Sequence, residues 1–243
     1  LARNRMQSPM FGEFMGTMVL VLLGNGVIAD VVLSRSKAEG GGWISISTGW
    51  AIAAMAGIFT ALACGSSDAH INPAVTLGVA VASGNFSKLV PYITAQMLGA
   101  FAGSVLVWLH FLPHWAATTN PTLKLGCFCS HPSIPNKATN LISEIIPTTL
   151  LVFVAVCILT RANLPAGFGP VLIAALVWGL ILALAGPTGT SMNPARDLGS
   201  RIAHAVLPIA GKGSSDWGYA PISLIGTLAG GALAGLAIRL LHI

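Results

Sequence analysis

His70-Ile71-Asn72-Pro73-Ala74-Val75-Thr76 and Ser191-Met192-Asn193-Pro194-Ala195-Arg196-Asp197 are the two stretches whose reading decides the fold. Asparagine is a favoured helix N-cap, and proline is favoured at the first helical position. Asn-Pro-Ala therefore reads as a helix start, and it occurs twice. The apolar runs that follow, 73–83 and 194–206, are each well short of the ~20 residues that cross a bilayer. Glycine, serine and threonine precede both, at 65–67 and 186–191, and cannot continue a lipid-facing helix.

Working outward, six longer apolar runs surround this pair. They cover residues 10–33, 43–63, 89–111, 141–159, 169–185 and 217–241. The chain is 54% hydrophobic and 8% charged, against about 25% charged for a soluble domain. Such a surface cannot face water, so the class is an all-α membrane protein, one domain over 1–243. The net charge of +5 comes from scattered basic residues, which excludes a nucleic-acid stripe. The first apolar run reads as a retained span rather than a signal peptide. The four cysteines show no metal-ligand spacing, and no cofactor or nucleophile motif is present. Cys64 and Cys157 read as buried small residues, and Cys127 and Cys129 as a free pair in a loop.

The polar connection 113–140 divides the chain into halves 10–111 and 141–241. Glu13 and Thr17 answer Glu144 and Thr148; Trp50 answers Trp178. Tyr92 to Gly103 answers Tyr219 to Gly230, which pairs Gly99 with Gly226 and Gly103 with Gly230. Each half holds three spans and one short segment. Three is odd, so the second half enters from the opposite side as an inverted repeat, and the short segments mark the functional site. Basic residues divide five (Arg3, Arg5, Lys88, Arg161, Arg239) against six between the two sides, which sets no orientation.

Non-helical backbone at membrane depth needs a protein-lined or wet cavity. Two half-helices meeting amino end to amino end supply one. Asn72 and Asn193 then offer NH2 donors to a passing oxygen, the backbone before them offers carbonyls, and the dipole ends repel cations. Arg196, a guanidinium in an apolar segment, is a functional residue by default.

These motifs resemble the major intrinsic protein family, the aquaporins and glycerol facilitators. The resemblance rests on 70–76, on 193–196 and on Glu13 and Glu144, and covers all six spans. Asp197 and Arg201 are similar to the glycerol-facilitator branch. The resemblance implies that Asn72, Pro73, Ala74, Asn193, Pro194 and Ala195 form the pore centre. It implies a filter of Trp50, Ile181, Thr190 and Arg196. Thr190 stands where those facilitators carry phenylalanine, and Ile181, or Leu182 with a one-residue gap, stands where they carry glycine. Glu13, Glu144, His70 and Gln96 are expected to brace the pore loops, and Asp197 to pair with Arg196 or Arg201 without touching solute. The implied function is passive passage of glycerol, water and other small neutral solutes. A homotetramer in the lipid of a plasma membrane, with both termini cytoplasmic, is also implied. A secondary transporter, an ion channel and a strict water channel are the rival readings.

Overall fold

The computed structural model describes residues 8–161, 163–165 and 167–243; Arg3 and Arg5 lie outside them. Its order is α1 (Pro9–Val32), α2 (Gly42–Ala63), α3 (Pro73–Ser83), α4 (Leu89–His110), α5 (Leu112–Ala117), α6 (Pro121–Gly126), α7 (Lys137–Arg161) and α8 (Gly169–Leu184), then a π-helical turn (Ala195–Gly199), α9 (Ser200–Val206) and α10 (Ala220–Leu241). Five helices, α1, α2, α4, α7 and α10, are long and apolar enough to cross a membrane. The sixth run, α8, has 16 residues and rises only about 24 Å. Gly186 and Pro187, just beyond it, stop it early.

α1 packs between α2 and α4, α10 packs against α7 and α3, and α2 meets α8. Small residues permit these close approaches. A Cβ on Gly231 would lie 2.3 Å from the Ala74 carbonyl oxygen, and one on Gly235 would lie 2.2 Å from that of Gly78. Hence α3 seats on the backbone of α10. The glycine correspondences shift by a helical turn relative to the sequence reading, so neither of the two pairs stands. Gly99 lies against the Phe14 carbonyl and Gly230 against that of Ile145, each the residue after a buried glutamate. Gly99 thus corresponds to Gly230, not Gly226, because the turns preceding α4 and α10 differ.

The connection 113–140 is not all loop. Asn120 caps α6, its Oδ1 accepting from the Thr122 N–H at 2.9 Å. The segment that follows it folds inward, burying Cys127, Phe128 and Cys129 beside Trp115. Burial pushes both thiols far above their usual range. Cys64, at the C-cap of α2, and Cys157, within α7, are only half-buried, less than expected. At pH 8 iodoacetamide is expected to label Cys64 and Cys157 first and to leave Cys127 and Cys129 unmodified until denaturation, as mass spectrometry would record.

Candidate functional site

Asn72 caps α3: its Oδ1 accepts from the Ala74 N–H at 2.8 Å. Asn193 caps the second segment, its Oδ1 accepting from the N–H groups of Ala195 and Arg196 at 3.0 and 3.1 Å. The two tips touch reciprocally. Asn72 Nδ2 donates to the Met192 carbonyl at 2.8 Å, and Asn193 Nδ2 donates to the Ile71 carbonyl at 2.9 Å. An amide NH2 has two hydrogens. One locks the opposite tip, and the other is left for the cavity that both side chains line.

The backbone leading into each tip is left-handed at alternate residues. Ala69 and Ile71 have φ of 45° and 44°; Thr190 and Met192 have 31° and 49°. For residues other than glycine this costs about 1–3 kcal/mol each, and for a β-branched residue such as Ile71 it is a true outlier. The bonds beneath offset that cost. Glu13, fully buried on α1, accepts from the Ser66 hydroxyl (2.7 Å), the His70 N–H (2.9 Å), the Ile71 N–H (2.6 Å) and Gln96 Nε2 (2.7 Å). Glu144 accepts from the Ser191 N–H at 2.8 Å and the Tyr219 hydroxyl at 2.8 Å. With their N–H groups pulled back onto carboxylates, the strands are free to present carbonyl oxygens on the other side.

His70 ties loop to helix: Nδ1 lies 3.2 Å from Thr76 Oγ1 and Nε2 lies 3.3 Å from Asp68 Oδ2. Gln96 reaches the loop through Glu13 and through Thr76, at 3.1 Å. At the end of the second half-helix, Lys212 Nζ donates to the carbonyls of His204, Ala205 and Leu207. That cation sits where the helix dipole is negative.

Arg196 is buried, and its Nη1 donates to the Ser130 hydroxyl at 2.9 Å. Its guanidinium carbon lies 4.8 Å from the ring centroid of Trp50, a stacking worth about 0.5–2 kcal/mol. Trp50 and Arg196 are therefore neighbours in one stack, not facing walls. The side-by-side placement gives that wall a greasy half and a donor half. Gly24 makes room for the indole: a Cβ there would lie 2.3 Å from the ring. Thr190 is also buried, and its Oγ1 has no protein partner among the described residues. Ile181 is buried beside Trp50 and Met192, whereas Leu182 is exposed; both line the cavity.

Asp197 faces away from the cavity. Its carboxylate accepts from Arg201 Nη2 at 3.0 Å and from the Ser130 N–H at 2.7 Å, and stands 3.8 Å from Arg196. Arg201 is wholly buried and also donates to the carbonyls of Ser130, Ser215 and Asp216. Ser130, Ser66 and Tyr219 are the contacts that the sequence reading missed. Ser130 and Tyr219 carry no local pattern, and each reaches its partner across more than 60 residues.

One cavity of about 1460 Å³ runs beside the two tips, Trp50, Ser130, Thr190 and Arg196. Its lining also includes Asp68, Asn72, Asn193, Ser133 and Arg239. Two half-helices joined tip to tip beside such a lane define a membrane protein of the pore type. Residues 2–238 match the family described as Major intrinsic protein, and the chain belongs to that family. It is 46% identical over 234 residues to Glycerol uptake facilitator protein 3 of Lactiplantibacillus plantarum, covering 96% of each chain. It is 47% identical over 222 residues to the Probable glycerol uptake facilitator protein of Thermotoga maritima, covering 91% of this chain and 94% of that one. The X-ray structure of the aquaglyceroporin from Plasmodium falciparum shares the fold, with a TM-score of 0.78 at 24% identity, over 95% of this chain and 94% of that one.

Proposed function

We propose that this chain is a passive channel for glycerol, water and other small neutral solutes, and that it excludes ions and protons. One observation carries the reading: Arg196, stacked on Trp50, lines the same cavity as the two joined asparagine tips. A polyol slides its CH groups along the indole and gives its oxygens to the guanidinium. The printed names of the bacterial relatives, glycerol uptake facilitators, point the same way. The two positive helix ends at the centre repel cations. Glu13 and Glu144 spend their oxygens on bonds to the pore loops, which supports uncoupled passage over a proton-coupled transporter. The halves 10–111 and 141–241 act as an inverted repeat. The working unit is a homotetramer in the plasma membrane, with both termini cytoplasmic and no enzymatic activity.

Stopped-flow measurement on proteoliposomes tests this. Water, glycerol, dihydroxyacetone and urea are expected to pass down their gradients without saturation. Uptake that saturates and follows an ion gradient would overturn it. Thr190→Phe is expected to lower water permeability severalfold relative to glycerol, because a bulky aromatic replaces a small side chain on the cavity lining. An unchanged ratio would remove Thr190 from the filter.

A further inference from the structure

We propose that Ser130 is a specificity-determining residue of the constriction, and that its hydroxyl makes the filter read two hydroxyls on adjacent carbons. The inference rests on the channel reading above and names a solute class within it.

Ser130 comes from the α6–α7 connection, yet it is buried and lines the cavity. Its backbone is pinned twice by the Asp197–Arg201 pair. The N–H donates to Asp197 Oδ2 at 2.7 Å, and the carbonyl accepts from Arg201 Nη2 at 2.8 Å. The hydroxyl oxygen then accepts from Arg196 Nη1 at 2.9 Å. A hydroxyl has one O–H to give besides its lone pairs, and no acceptor among the described residues takes this one. A bond received from a cation polarises the O–H and makes it a stronger donor.

Two donors thus stand one hydrogen bond apart on the lane: the free guanidinium N–H groups of Arg196 and the Ser130 O–H. Oxygens on adjacent carbons can take both at once. Water offers one oxygen where a vicinal diol offers two, and hydroxyls on carbons one and three stand farther apart than those on adjacent carbons unless the solute bends.

Two isomers of one formula separate this from size selection. In proteoliposomes, Ser130→Ala is expected to lower 1,2-propanediol permeability about three- to tenfold, the worth of one hydrogen bond, with 1,3-propanediol and water changing less than about twofold. Both pinning bonds use backbone atoms, so alanine keeps the loop in place. Ser130→Thr restores the hydroxyl and is expected to restore the isomer ratio. Equal loss of both isomers and of water, without rescue by threonine, would make Ser130 a structural residue and overturn the proposal. An unchanged isomer ratio in Ser130→Ala would overturn it as well. Failure of the unmutated protein to pass either isomer or glycerol would instead overturn the channel reading beneath it.

Discussion

Gly231→Val is expected to abolish the folded channel, whereas Gly26→Val in α1 is expected to leave it intact. The first Cβ would lie 2.3 Å from the Ala74 carbonyl oxygen and 3.2 Å from the Ala74 Cα, all backbone of the first half-helix. Backbone cannot rotate away as a side-chain end can. Relief therefore requires α10 to leave α3, which carries Asn72 off its contact with Met192. A clash of this kind costs about 3 kcal/mol, roughly a hundredfold in the folded-to-unfolded ratio. Nothing lies within 4 Å of a Cβ built on Gly26, so valine there meets no neighbour. The yield of monodisperse detergent-extracted protein measures the difference. Equal yields would show that the α3–α10 seat does not hold the pore together.

Glu13→Ala is expected to reduce water and glycerol flux at least tenfold, and Glu144→Ala to reduce them less. Removing Glu13 leaves the Ser66 hydroxyl, two backbone N–H groups and Gln96 Nε2 without their acceptor in a buried place. Each such loss costs about 1–3 kcal/mol. The left-handed residue Ile71 then loses the bond that holds it, Ser66, which holds Ala69, loses its anchor, and the carbonyls facing the lane turn away. Glu144 anchors one backbone N–H where Glu13 anchors two, so less of its loop is released. Flux per folded protein, measured alongside extraction yield, separates pore distortion from misfolding. Equal losses in the two variants would show that the unequal bonding has no consequence for conduction.

What the sequence made legible was mostly local. Asn72 and Asn193 signal their caps within three residues, and both caps form as read. The same Asn-Pro signal stands at Asn120-Pro121 and starts α6, but the polar run around it hid the helix. The π-helical turn at Ala195–Gly199 has no mark in composition or periodicity. The long-range contacts were legible only through resemblance or not at all. Glu13 could be assigned to the loop before Asn72, but Ser130 and Tyr219 are a common serine and a tyrosine whose partners are brought near by packing alone. Asp197 and Arg201 read as marks of a branch of the family. Folded, they form a clamp whose free end is the Ser130 backbone, a role that spacing along the chain cannot express.

The reciprocal asparagine lock also constrains biosynthesis. Asn72 and the carbonyl that receives it are separated by 120 residues. At roughly 5–20 residues per second, the ribosome delivers the first tip about 6 to 24 seconds before its counterpart exists. Throughout that interval the nascent segment 65–72 has its strained peptide groups in the bilayer with no opposing tip. It must wait at the translocon or at the lipid surface, sheltered by water or by α1, until α7, α8 and the second tip have been inserted.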